Sequence, residues 1–274
     1  MAVINDHPLR YSLNSELHAR PFPSLSAPHV AAYLAVRAPG EAASRDRSVD
    51  LDNLSALLKH YGAPLPAENA THYYGPMGKY ALKWEQHTEF VTYTVFSDQL
   101  SERPFDPAEF DVFPESWRKG LNAERITSIL LRLVTRPDTN EQISGSLRDW
   151  FVPESLAVAK VLDDAAVVAS DFRIDSAGHM RMAIFASDGT GDRRLGRIVQ
   201  RLCEIETYKS MSMLGFAEVR DFGGQLNALD KQLNNLMVGM RASDAMAEDT
   251  LHKLLDISVQ LETLSAEVSY RFGA

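Results

Sequence analysis

Three groups of polar side chains in this chain have spacings that chemistry could use. Glu85, His87 and Glu89 alternate within KWEQHTEF, so on one continuous strand all three would project from the same face. An imidazole between two carboxylates suits a divalent cation or a general base, and it equally suits a solvated strand face or a hairpin tip. Glu16, His18 and Arg20 lie in LNSELHARPFPSLSAP. Glu16 and Arg20 are four apart, the helical spacing of an ion pair, with His18 on a different side of the helix. Pro21 and Pro23 then fix the exit of the chain. That segment is either a helix end tied down by a salt bridge or one wall of a polar pocket. Arg194, Arg197 and Arg201 recur at helical steps, with Glu204 and Tyr208 continuing the stripe after Gly189 and Gly191. Guanidiniums near a helix N-terminus suit an anion such as phosphate; the alternative is a helix pairing its charges with its own domain.

Other signals limit this chemistry. Gly-Thr-Gly-Asp at 189–192 lacks the Lys-Ser/Thr of a phosphate loop. The remaining histidines are scattered and form no HExxH pair, and no GxSxG is present. The single cysteine, Cys203, sits in a helical pattern between Leu202 and Ile205, where a packed core thiol is the plain expectation. Nucleophilic catalysis therefore has little to stand on. The catalytic residues, the metal and the cofactor remain unknown at this stage, and the chain leans away from being an enzyme.

The elements that must position these groups follow from the apolar spacing. Asp6 and Pro8 start a helix running to about Arg20. VAAYLAVRA (30–38) is a buried strand. Residues 45–61 are an amphipathic helix closed by Gly62. Two strands are expected over 79–86 and 88–97, a short helix within 106–119, and a strand over 126–135. Segments 166–175 and 179–187 flank Ser176-Ala177-Gly178, a hairpin turn. The spacing predicts an α+β fold with a mixed, mostly antiparallel sheet and helices on one side. After Gly189 the strand signals stop. Three helical stretches follow, the first ended by Gly223-Gly224. Leu226, Leu229, Leu233 and Leu236, then Leu254, Ile257, Leu261, Leu264 and Val268, alternate three and four apart. Such an a/d seam predicts a coiled-coil hairpin, or a seam shared between subunits. The expected organisation is thus an α+β head over 1–188 and a helical coiled-coil hairpin over 189–274.

Composition bounds the partners. The net charge is −9, from 37 acidic and 28 basic residues, with no dense Lys/Arg run. Such a chain repels a phosphate backbone, so no nucleic-acid partner is expected. Nothing reaches the roughly 18 consecutive apolar residues of a membrane-spanning helix.

Four segments carry a resemblance: ELHARP at 16–21, WEQHTEF at 84–90, DFRID at 171–175 and RLCEIETY at 201–208. In order and approximate spacing they resemble a family of bacterial membrane-anchored proteins of unknown function. The resemblance implies a longer coiled-coil region and a terminal membrane hairpin beyond the last helix here, which looks cut rather than finished. It implies architecture and no chemistry. The function expected is an interaction or sensing module, a head on a stalk that self-associates through the helical region and is tethered to a membrane in the full-length chain. With the membrane that the resemblance implies, the lone thiol and the missing export signal make the cytoplasmic face of the inner membrane the expected location of that head. Two alternatives stay open: the cytosolic domain of a CorA-like divalent-cation transport system, by layout alone, and a metal-dependent or phosphate-directed enzyme.

Overall fold

The computed structural model describes residues 6–8, 10–11, 22–39, 46–242 and 247–272. Glu16, His18 and Arg20, with most of the helix expected before Pro21, lie outside the described residues. The chain divides into two compact units, Met1–Tyr208 and Lys209–Ala274.

The first unit is built on strands β1 (His29–Arg37), β2 (His72–Met77), β3 (Tyr80–Gln86), β4 (Val91–Ser97), β5 (Glu124–Thr135), β6 (Ala157–Val161), β7 (Ala166–Ile174) and β8 (Met180–Ala186). Between them lie helices α1 (Arg47–His60), α2 (Glu115–Gly120) and α3 (Asn140–Trp150), and 3-10 turns at Pro107–Val112 and Pro153–Ser155. Helix α4 (Asp192–Ala242) begins in this unit, and α5 (Ala247–Phe272) follows it. The strands form one sheet in the order β2-β3-β4-β1-β5-β8-β7-β6. Every neighbouring pair is antiparallel except β5 and β8. The fold is therefore α+β with an eight-stranded mixed sheet and a long C-terminal helical region.

Local chemistry fixes the helix ends. Asp46 caps α1 by accepting the Ser48 N–H at 2.9 Å, Lys59 and His60 complement its C-terminal dipole, and Gly62 takes φ 63° just beyond the cap. Thr139 and Gln142 form a reciprocal capping box on α3.

The central strands are buried on both faces, which differs from the one-sided cover expected. Leu54, Leu57 and Leu58 of α1, Trp117 of α2 and Ile143 and Leu147 of α3 pack with Trp84, Tyr93, Leu130 and Phe185 on one face. Leu195, Ile198, Val199 and Cys203, in the first turns of α4, pack with Tyr33, Ile129, Leu131 and Ile184 on the other. The three leucines of α1 are each 0% exposed, so each contributes roughly 1.5–3 kcal/mol of transfer free energy.

Three elements escaped the sequence reading: β2, whose Gly75-Pro76 reads as a turn; β6, whose Ala-Val-Ala-Lys-Val is weak in β-formers; and α3, which carries Gly145. Among the described residues β2 and β6 are the outer strands. In β7 the register shifts between Ser170 and Ile174, and Phe172 in that bulge holds φ 52°. Asp171, 1% exposed, pins it by accepting the Val152 N–H at 3.0 Å and an Arg181 N–H at 2.7 Å.

Gly223 and Gly224 do not end a helix; α4 runs through them. A Cβ at either position would meet nothing within 4 Å. Two glycines cost about 2 kcal/mol at most in an exposed interior, too little to break a helix held on both sides by good helix formers. Gly223→Ala and Gly224→Ala should therefore each stabilise the helical region by about 0.5–1 kcal/mol. A higher urea midpoint of the helical signal is the expected result, and a lower one would mean the helix does not pass through.

Candidate functional site

Period-two alternation builds the candidate site. In β3, Leu82 and Trp84 point to the α1–α3 face, so Lys83 and Glu85 must point to the face under α4. In β4, Val91, Tyr93 and Val95 point to the first face and Thr92 and Thr94 to the second. Register sets these side by side: Thr94 is opposite both Lys83 and Tyr33, and Thr92 is opposite Glu85. Helix α4 lays Gln200, Cys203, Glu204 and Thr207 across them, and His87, Phe90, Tyr208 and Pro23 edge the resulting cleft.

The polar groups inside are satisfied in a chain. The Lys83 ammonium donates to Gln200 Oε1 at 2.7 Å and stands 3.0 Å from Glu85 Oε2. Gln200 Nε2 donates to Glu204 Oε1 at 2.6 Å. Thr207 Oγ1 donates to the Cys203 carbonyl at 2.8 Å, so its 2.6 Å bond with the Tyr33 hydroxyl must have tyrosine as donor. Lys83 is 5% and Glu85 8% exposed. Burial, reinforced by the Cys203 thiol and the Glu85 and Glu204 carboxylates, pushes the Tyr33 phenol well up. Burial also pushes the Cys203 thiol up, with Glu204 adding to it and Lys83 opposing. The thiol is thus held protonated at neutral pH, unsuited to nucleophilic attack. The open volume inside is about 20 Å3, room for about one water. This arrangement suits fixing α4 in one setting on the sheet better than holding a substrate.

The predicted residues separate here. Glu85 and His87 both line the cleft, but β3 ends at Gln86, so the three alternating residues do not share one strand face. His87 stacks on Phe90 at 4.3 Å, and Glu89 lies in the turn outside the cleft. Arg194, Arg197 and Arg201 are exposed and line no part of it; Arg197 lies over the Phe22 ring at 4.8 Å. Among the described residues no group of three or more His, Cys, Asp or Glu side chains could hold a metal ion.

Sequence reading passed over Lys83, Gln200, Tyr33 and Thr207. Lys83 had a usable signal, being two residues from Glu85 on a strand, and Gln200 had another, four before Glu204 on a helix. It also missed a buried pair elsewhere: Ser128 Oγ is 3.0 Å from His179 Nδ1 and 3.0 Å from the Gly178 carbonyl oxygen. Asp175 does not complete a triad, because its Oδ1 accepts the N–H groups of Ala177 and His179 in the turn. Ser128 is 3% and His179 4% exposed, which closes the pair to a substrate.

A mixed-sheet α+β protein with a polar, helix-sealed cleft is the class that these observations define. Residues 5–274 match the model of a family described as protein of unknown function, DUF3422, and the chain belongs to that family. No curated protein and no solved structure matches it.

Lys83→Met strands the Glu85 carboxylate without its ammonium and should cost about 3–5 kcal/mol, with Glu85→Gln on the same background restoring part. Urea unfolding measures both; a loss under about 1 kcal/mol for the single change would show the pair to be incidental. Burial lowers the His179 pKa from its usual 6.5, with Arg125 and Arg118 assisting and Asp175 opposing. Between the usual and the lowered value the unfolded chain binds a proton that the native one does not. Stability from this group is therefore full above the usual value and lost as pH falls toward the lowered one. NMR titration of the His179 ring should give a midpoint below 6.5; one at or above it contradicts the assignment.

Proposed function

We propose that this protein is an interaction or sensing module whose sheet domain is carried on a self-associating helical arm. The observation that carries the reading is the half-covered seam of the second unit. Leu229 on α4 and Leu264 on α5 are buried, at 7% and 8% exposure. Other seam positions are exposed, Leu226 at 52%, Leu254 at 39% and Leu261 at 47%, while Leu233, Leu236 and Ile257 are half-buried. Leu236 and Met240 of α4 and Ile257 of α5 also line a cleft of about 540 Å3 within this unit. Apolar residues kept in heptad spacing yet left in water are what a further helix of the same kind covers. The occupant proposed is the same arm of a second copy, because its own heptads have the matching period. The coiled-coil pairing of α4 with α5 belongs to this proposal.

The membrane tether in the full-length chain and the position on the cytoplasmic face of the inner membrane belong to it too. Among the described residues no helix is long and apolar enough to cross a membrane.

Light scattering of the purified chain should give a mass of at least two copies. Leu254→Glu with Leu261→Glu should reduce it to one copy while far-UV circular dichroism is retained. A wild-type mass of one copy at high micromolar concentration would end the proposal.

A further inference from the structure

The sheet face under α1–α3 carries a second opening, between β1, β4 and the Pro107–Val112 turn. Its volume is about 290 Å3, at the lower end of small-molecule pockets. Val30, Ala32 and Val95 form an apolar floor and Tyr80 one wall.

Glu109 lines this pocket from the 3-10 turn, and its side chain is only 9% exposed. Its contacts within the described residues all fall on one oxygen. Oε1 accepts the Ser101 N–H at 3.3 Å and stands a loose 3.9 Å from the Arg132 guanidinium. Oε2 has no protein partner among the described residues. Arg132 is partly committed elsewhere, donating to the Ser101 carbonyl at 3.0 Å. Burial outweighs these contacts and pushes the Glu109 carboxyl up. A half-satisfied carboxylate against an apolar floor gains most from a cation that brings its own N–H donors.

Two charged groups of the rim are engaged. Lys79 Nζ donates to Gln99 Oε1 at 3.0 Å, and Asp106 Oδ1 accepts the Ala108 N–H at 3.0 Å to cap the turn. Glu109 Oε2 thus offers the pocket an acceptor, and the two carboxylates of the lining, Asp106 and Glu109, outnumber its one ammonium, Lys79. The loop is also held in place: Phe105, at φ 55° and 4% exposed, is packed against Trp150 and Phe151.

We propose that this pocket binds a small primary ammonium compound with a short apolar or aromatic body, its ammonium on Glu109 Oε2 and its body over Val30, Ala32, Val95 and the Tyr80 ring. The site is separate from the helical arm and does not depend on self-association.

Benzylamine is the probe, with benzoate as the anionic control, read by titration calorimetry and by the thermal midpoint. Saturable benzylamine binding is expected, with no binding of benzoate. Glu109→Gln should weaken it by at least about tenfold, and Ala32→Leu, which fills the floor, should do the same. Wild-type affinity should fall as the pH is lowered toward protonation of Glu109, a readout that needs no variant. Leu254→Glu with Leu261→Glu should leave binding unchanged, so failure here and failure of the self-association reading are told apart. Absence of saturable binding, equal binding of benzoate, or full affinity in Glu109→Gln overturns the assignment.

Discussion

Closing both faces of one sheet with apolar side chains is the constraint on which the rest of this molecule depends. Once α1–α3 seal one face and the first turns of α4 the other, a polar strand residue lies in a dry layer and needs a partner there. Lys83 brings Glu85 and Gln200, Asp171 brings Arg181, and Ser128 brings His179. The magnitudes decide what each does. Burial of the three α1 leucines alone supplies several kcal/mol, whereas a buried ion pair is close to neutral against an apolar replacement. The Lys83–Gln200 contact therefore sets α4 on the sheet and the other two pairs set strand and turn against strand, while apolar burial supplies the stability.

Much of this layout was legible in the residues. The leucine spacing of α1, the capping Asp46, the β-formers around 80–97 and the Ser-Ala-Gly turn before β8 each state local structure through short-range physics. What escaped depends on tertiary context. A proline in β2 is tolerated because that strand is outermost. The alanines of β6 are held as a strand by pairing with β7. The glycine pair in α4 reads as a break only if its small cost is compared with nothing else. The cleft was half legible: Glu85 and His87 stand out as chemistry, but Tyr33 hides in an apolar run and meets Thr207 across 174 positions, which no spacing rule reaches.

Three of the four distinctive segments, those among the described residues, have separate physical roles. KWEQHTEF and RLCEIETY face each other across the cleft, joined by Lys83, Gln200 and Glu204. DFRID does something different, using a buried aspartate to hold a bulge that turns Phe172 outward, 53% exposed, in a conformation costly for an aromatic residue. These segments are thus divided between stitching a helix to the sheet and shaping a strand.

The outer strands give the sheet a polarity along its width. Pro76 deprives β2 of a backbone donor, and Gly75 beside it weakens any incoming pairing. Strand β6 keeps every donor, shows small exposed side chains, and carries one lysine whose charge is already met by Asp164 at 2.9 Å. Among the described residues the two outer strands thus differ in the backbone donors they present: β6 has all of its own and β2 lacks the one at Pro76.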